Sequence, residues 1–139
     1  MGYALEVECV AAARRLDLLT TPYAFNVEEA RQMTQAGADI VVAHMGLTTS
    51  GTIGARTGRT LDESVRDVRG IAEACKRVRG DVLVLCHGGP IAEPEQAQYV
   101  LDRCPMVDGF YGASSMERLP AEQAITQRTR EFAGLRLRN

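Results

Sequence analysis

A chain of 139 residues, 45% apolar and 24% charged, has the size and composition of one ordinary globular domain. Sixteen basic residues against eighteen acidic ones give a formal charge of −2. That is no electrostatic footprint for nucleic acid or for an anionic membrane. No apolar run approaches the roughly 20 residues that span a bilayer, and the N-terminus lacks the order of a secretory signal, so a cytoplasmic protein is expected.

The four cysteines, Cys9, Cys75, Cys86 and Cys104, form no CxxC pair, which argues against a zinc knuckle or a redox motif. Cys75 and Cys86 fall inside apolar patterns, where buried reduced thiols are the expectation. The arginines of the tail from Arg128 to Arg138 are interrupted by Glu131 and have no aromatic stacking platform, so no nucleic-acid partner is expected.

In chain order, apolar residues at helical spacing predict a helix over Leu5 to Leu16, with Arg14 and Arg15 in its last turn. A short strand follows at Leu18 to Tyr23. Asn26 caps a second helix, with Glu28 and Glu29 in its first turn, and Gly37 is suited to end it. The next strand, Asp39 to His44, is apolar throughout, as is Asp81 to His87. Continuous apolar strands of this kind are buried on both faces in parallel sheets covered by helices.

Between them, Thr60 and Glu63 form a capping box that opens a helix to about Val78, with Gly80 as its stop. Gly88-Gly89-Pro90 breaks the third strand, and Pro94 suits the first turn of a helix ending near Cys104. A fourth strand spans Val107 to Tyr111. Pro120 opens the last helix, which ends near Ala133-Gly134.

Nothing in this series resembles a linker, so residues 1–139 read as one unit of α/β type. Four strands alternating with helices imply right-handed crossovers and a parallel sheet. An open doubly wound sheet and part of a (β/α)8 barrel both fit. A whole barrel takes about 250 residues, so this length would hold half of one. No GxGxxG or P-loop follows any strand, which disfavours a nucleotide-binding domain.

In either architecture the chemistry belongs at the C-terminal ends of the strands. The two histidines, His44 and His87, each end an apolar strand and precede a glycine loop, as proton-transfer groups or oxyanion donors would. A lone strand-end histidine is often only a hydrogen-bonded supporting residue. Two at equivalent positions of successive strands point to a ligand.

Gly46, Gly88 and Gly89, with Gly112, Ala113, Ser114 and Ser115, offer backbone N–H groups and hydroxyls to a phosphate or carboxylate, although such glycines can also simply permit tight turns. The loop from Met45 to Gly58 exceeds an ordinary connector, and its glycines and Arg56 suit a lid closing over an anion. Unstructured loop without function is the alternative. Glu93 and Glu117 are carboxylates placed to serve a metal or act as a base. Capping accounts better for Glu93, while Glu117 stays open. No residues have the spacing of a metal motif.

Three segments carry a family resemblance: Val42 to Thr49 with Ile53-Gly54-Ala55, Leu85 to Ile91, and Gly109 to Arg118. Together they resemble the phosphoenolpyruvate hydrolase-like TIM-barrel family, also described as predicted TIM-barrel signal-transduction proteins, whose members occur alone or fused behind another domain.

The resemblance spans essentially the whole chain and implies β/α units five to eight of the family barrel, the C-terminal half of a TIM (β/α)8 fold. It also implies an enzyme-type site for a small phosphorylated or carboxylated metabolite, working through an enolate-type intermediate. His44, His87 and Glu117 would be catalytic, and Gly46, Arg56, Gly88, Gly89 and Gly112 to Ser115 would bind substrate. Mg²⁺ is the cofactor that analogy suggests. The rival is a non-catalytic sensor or protein-interaction domain with the same pocket. A half-barrel would leave its first and last strands unpaired and its inner face open, so self-association or pairing with an N-terminal half-barrel is expected.

Overall fold

The computed structural model describes residues 2–49 and 59–136. Helix α1 (Tyr3–Arg15) leads to β1 (Tyr23–Ala24), α2 (Val27–Gln35) and β2 (Ile40–His44). Then come α3 (Leu61–Val78), β3 (Leu83–His87), α4 (Pro94–Arg103), β4 (Gly109–Phe110) and α5 (Arg118–Ala133). The four strands form one parallel sheet in the order β1-β2-β3-β4. Because strand order never reverses, crossovers of one hand place every connecting helix on the same face. The fold is therefore α/β, with the element order of consecutive barrel units.

Local chemistry sets the helix ends. The Asn26 side chain accepts from Glu29 N at 2.9 Å, opening α2. Thr60 and Glu63 close a reciprocal capping box at α3. Gly37, at φ +99°, ends α2 in the left-handed region that glycine adopts without steric cost.

Several expected boundaries move: β4 shortens to Gly109–Phe110, β3 starts at Leu83, α1 covers Tyr3–Arg15, and the largest changes are at the first strand and the last helix. The first strand centres on Tyr23–Ala24 rather than Leu18 to Tyr23, and Leu18 and Leu19 are exposed. Pro22 has no N–H to give a ladder, so this segment pairs through the carbonyls of Thr20 and Pro22, which accept from Ile40 N and Val42 N. The last helix begins at Arg118, two residues before Pro120. A proline fits there because N–H groups of a first turn have no intrahelical partner.

The sheet has one covered face and one open face. Val41, Ala43, Val84 and Cys86 are buried beneath the helices against Met33, Val68, Ile71, Cys75 and Val100. Side chains alternate across a strand, so Leu83 points the other way and is 45% exposed, with Tyr23 at 38% and Phe25 at 50%. Continuous apolar strands thus do not mean two covered faces within this chain, because the second face is the one that lines a barrel interior. Cys75, Cys86 and Cys104 lie in the covered layer. Burial pushes the Cys86 thiol up to about 12 and raises the other two, so all three are inert apolar fillers. Among the described residues no helix is long and apolar enough to cross a membrane.

Carboxylates clamp the N-terminal end of the sheet. Asp39, entering β2, accepts from Thr20 N at 2.9 Å and Thr20 Oγ1 at 3.0 Å, and pairs with Arg14 at 3.1 Å. Asp108, entering β4, accepts from Val84 N at 2.8 Å and Lys76 Nζ at 3.0 Å. Each aspartate therefore ties its own strand to the preceding one.

The hydrogen bonds from Thr20, with desolvation opposing them and Arg14 assisting, hold the Asp39 carboxyl below its usual range. A depressed carboxylate stabilises the fold above its unfolded value of about 3.9, and that contribution is lost as pH falls through the folded value. Asp39→Ala is expected to cost about 1–2 kcal/mol in urea denaturation at neutral pH. The difference from wild type should shrink in acid; a constant difference down to the acid limit would contradict the clamp.

Candidate functional site

At the opposite end, the parallel register pairs His44 with His87 directly. Their ring centroids lie 4.8 Å apart at an interplanar angle of 76°. Continuing the β1–β2 register by one residue sets Phe25 beside His44, and the β3–β4 register likewise sets Tyr111 beside His87. Phe25 contacts the His44 ring at 4.8 Å, and Tyr111 meets the His87 ring edge-on at 5.8 Å. Tyr23 stacks parallel to His87 at 5.5 Å and meets His44 at 4.7 Å. The two imidazoles are thus walled by three aromatic rings on the open face of the sheet. Sequence reading missed these aromatics as site residues; their position at strand ends level with the histidines is the signal that marks them.

Each histidine is held through Nδ1. His44 Nδ1 accepts from Gly46 N at 3.0 Å. His87 Nδ1 donates to the Tyr111 carbonyl at 2.8 Å, since a carbonyl can only accept. Burial, and to a smaller degree the neighbouring His87, push the His44 imidazole below its ordinary value.

The loops beyond the strands interlock. Met45 N donates to His87 O at 2.8 Å, Gly89 N to Gly46 O at 2.7 Å, and Thr49 N to Gly89 O at 3.2 Å. Gly88 and Gly89 have φ of +76° and +59°. A Cβ on Gly88 would stand 2.3 Å from Gly46 O, and one on Gly89 2.4 Å from Met45 O. These glycines are required so that two backbones can meet. The N–H of Gly89 is already donated within the chain, as is that of Gly46, so neither is available to an anion.

Gly112 to Ser115 form the turn into α5, where Ala113 O accepts from Met116 N and Ser114 O from Leu119 N. The first N–H groups of such a turn have no intrahelical partner. Glu117 is exposed, immediately before α5, and no hydrogen bond joins it to either histidine. Glu93 lies at the start of α4, where its N–H donates to Gln96 Oε1 at 3.0 Å. Arg56, with the rest of the expected lid from Ser50 to Gly58, lies outside the described residues.

Among the described residues no three His, Cys, Asp or Glu side chains converge, so these residues alone assemble no metal-binding cluster.

A parallel, unreversed sheet with helices on one face and two histidines at its C-terminal strand ends has the element order of consecutive TIM-barrel units. The N-acetylmannosamine-6-phosphate 2-epimerase from Clostridium perfringens, a TIM-barrel enzyme, superposes on 91% of this chain and 48% of its own, with a TM-score of 0.53 and 20% identity. At that identity the likeness concerns the fold.

The chain belongs to the phosphoenolpyruvate hydrolase-like family, whose model matches residues 1–135. It is 62% identical over 135 residues to two proteins of Solanum lycopersicum, the ToMV resistance protein Tm-1(GCR237) and the ToMV susceptible protein tm-1(GCR26). The match covers 97% of this chain but only 18% of either relative's length.

The depressed His44 gives a pH test. A histidine lowered on folding stabilises the native state above its unfolded value of about 6.5, and this is lost as pH falls through the folded value. Titration of the His44 ring followed by NMR should therefore fall below 6.5; a midpoint at or above 6.5 would contradict the burial and His87 effects.

Proposed function

We propose that this chain supplies the proton-transferring, anion-binding half of a phosphoenolpyruvate hydrolase-like barrel. Its substrate is a small phosphorylated or carboxylated metabolite, and the reaction passes through an enolate-type intermediate. The observation that carries this reading is the side-by-side placement of His44 and His87 at the active end of a parallel sheet. N–H groups and hydroxyls at Gly112 to Ser115 would hold the anion, and the imidazoles would move the proton or steady the developing oxyanion. The aromatic walls would keep water from the intermediate.

A second reading has its own support. No carboxylate hydrogen-bonds to either histidine among the described residues, so an acid–base dyad with Asp or Glu is not assembled here. A sensor or protein-interaction domain that binds the anion without turnover fits that fact.

The open face motivates a further proposal on assembly, a second half-barrel closing over Tyr23, Phe25 and Leu83 and pairing the free edges of β1 and β4. For the chain alone, that partner is a second copy.

A thermal-shift screen of phosphorylated and carboxylated metabolites should find a stabilising anion. With that ligand as substrate, His87→Ala should lower turnover by about 10²- to 10⁴-fold. Binding without turnover in the whole protein would instead support the sensor, and unchanged kinetics would remove His87 from the mechanism. Light scattering should give the mass of two chains; a stable, monodisperse monomer would refute closure by a second copy.

A further inference from the structure

The hydrogen bonds at the two Nδ1 atoms fix more than ring orientation. Gly46 N–H points at His44 Nδ1, so that nitrogen carries the lone pair and the neutral ring holds its proton on Nε2. The Tyr111 carbonyl demands a proton on His87 Nδ1, so the neutral ring leaves the Nε2 lone pair free. The paired histidines are thus opposite tautomers, one presenting an N–H and the other a base. Neither Nε2 has a hydrogen-bond partner among the described residues.

We propose that His87 Nε2 is the base and His44 Nε2–H the oxyanion donor for proton transfer at the carbon next to the carbonyl of a 2-keto acid. The assignment rests on the reading of this site as an anion-binding barrel site. An enolisable keto acid needs these groups together: a lone pair at the C–H, an N–H at the carbonyl oxygen two bonds away, and donors for the carboxylate. The imidazole centroids lie 4.8 Å apart, close enough for one small ligand to contact both rings.

In the forward step the C3–H bond breaks and an N–H bond forms at His87 Nε2. The C–H pair becomes the C2–C3 double bond, and the carbonyl π pair moves to the oxygen that accepts from His44 Nε2–H. Reversal returns a proton, or a solvent deuteron, to C3. No oxidant or other reactant takes part. Burial favours the neutral form of His44, which keeps it in the tautomeric role its loop dictates.

Two measurements on the full chain decide the matter. In ¹⁵N imidazole spectra of the wild type, His44 should be protonated at Nε2 and His87 at Nδ1; two rings in the same tautomer would overturn the assignment. In D₂O, the methyl protons of pyruvate should exchange faster with the protein than with an equal concentration of free imidazole. His87→Gln should return exchange to the imidazole rate, and His44→Gln should slow it about 10²-fold.

Wild-type exchange no faster than imidazole would overturn the proposal. Exchange without turnover of any phosphorylated metabolite would leave the histidine roles standing while removing that substrate class. Turnover without exchange would do the reverse.

Discussion

The site depends on the register between β2 and β3. Pairing Ile40 with Leu83 at one end brings His44 level with His87 at the other, and a slip of one residue would send one imidazole into the helix-covered layer. The register is held beyond the strands as well, where Gly89 N donates to Gly46 O and Met45 N to His87 O. That junction requires glycine at two consecutive left-handed positions, with a neighbouring carbonyl where each side chain would be. The glycines therefore act on the histidine pair indirectly. They let two loops touch, and one of those loops holds the His44 ring through Gly46 N–H, while the carbonyl of Tyr111 holds His87.

The two ends of the sheet differ in how their polar groups are satisfied. At the N-terminal end, Asp39 and Asp108 reach back to backbone N–H groups of the preceding segment and are paired with Arg14 and Lys76. At the C-terminal end His44 and His87 lie on the face away from the covered core, and among the described residues their Nε2 atoms have no hydrogen-bond partner. A barrel sheet accommodates this because the backbone between the ends is satisfied by its own ladder, while loops at the active end vary without disturbing the core.

What the sequence made legible was local. The caps at Asn26 and Thr60–Glu63, the stop at Gly37 and the apolar runs into His44 and His87 all follow from near neighbours along the chain. What it hid depends on distant partners. The first strand is displaced because Thr20 is drawn to Asp39 and Pro22 pairs only through its carbonyl. Gly88 and Gly89 read equally well as an anion cradle or a turn, and only the approach of Gly46 and Met45 tells which. Tyr23 and Phe25 carry no motif and Tyr111 carries only the family resemblance; all three become site residues only when parallel pairing lines them up with the histidines. The open inner face was legible from the count of units.

The most direct test of the loop junction is the unfolding free energy of Gly89→Ala. Alanine there must adopt φ near +59° and clear a carbonyl oxygen 2.4 Å from its Cβ, which should cost about 2 kcal/mol or more and disturb the His44 and His87 ring signals together. Stability within about 0.5 kcal/mol of wild type, with both ring signals unmoved, would contradict the junction as the element that sets the histidine pair.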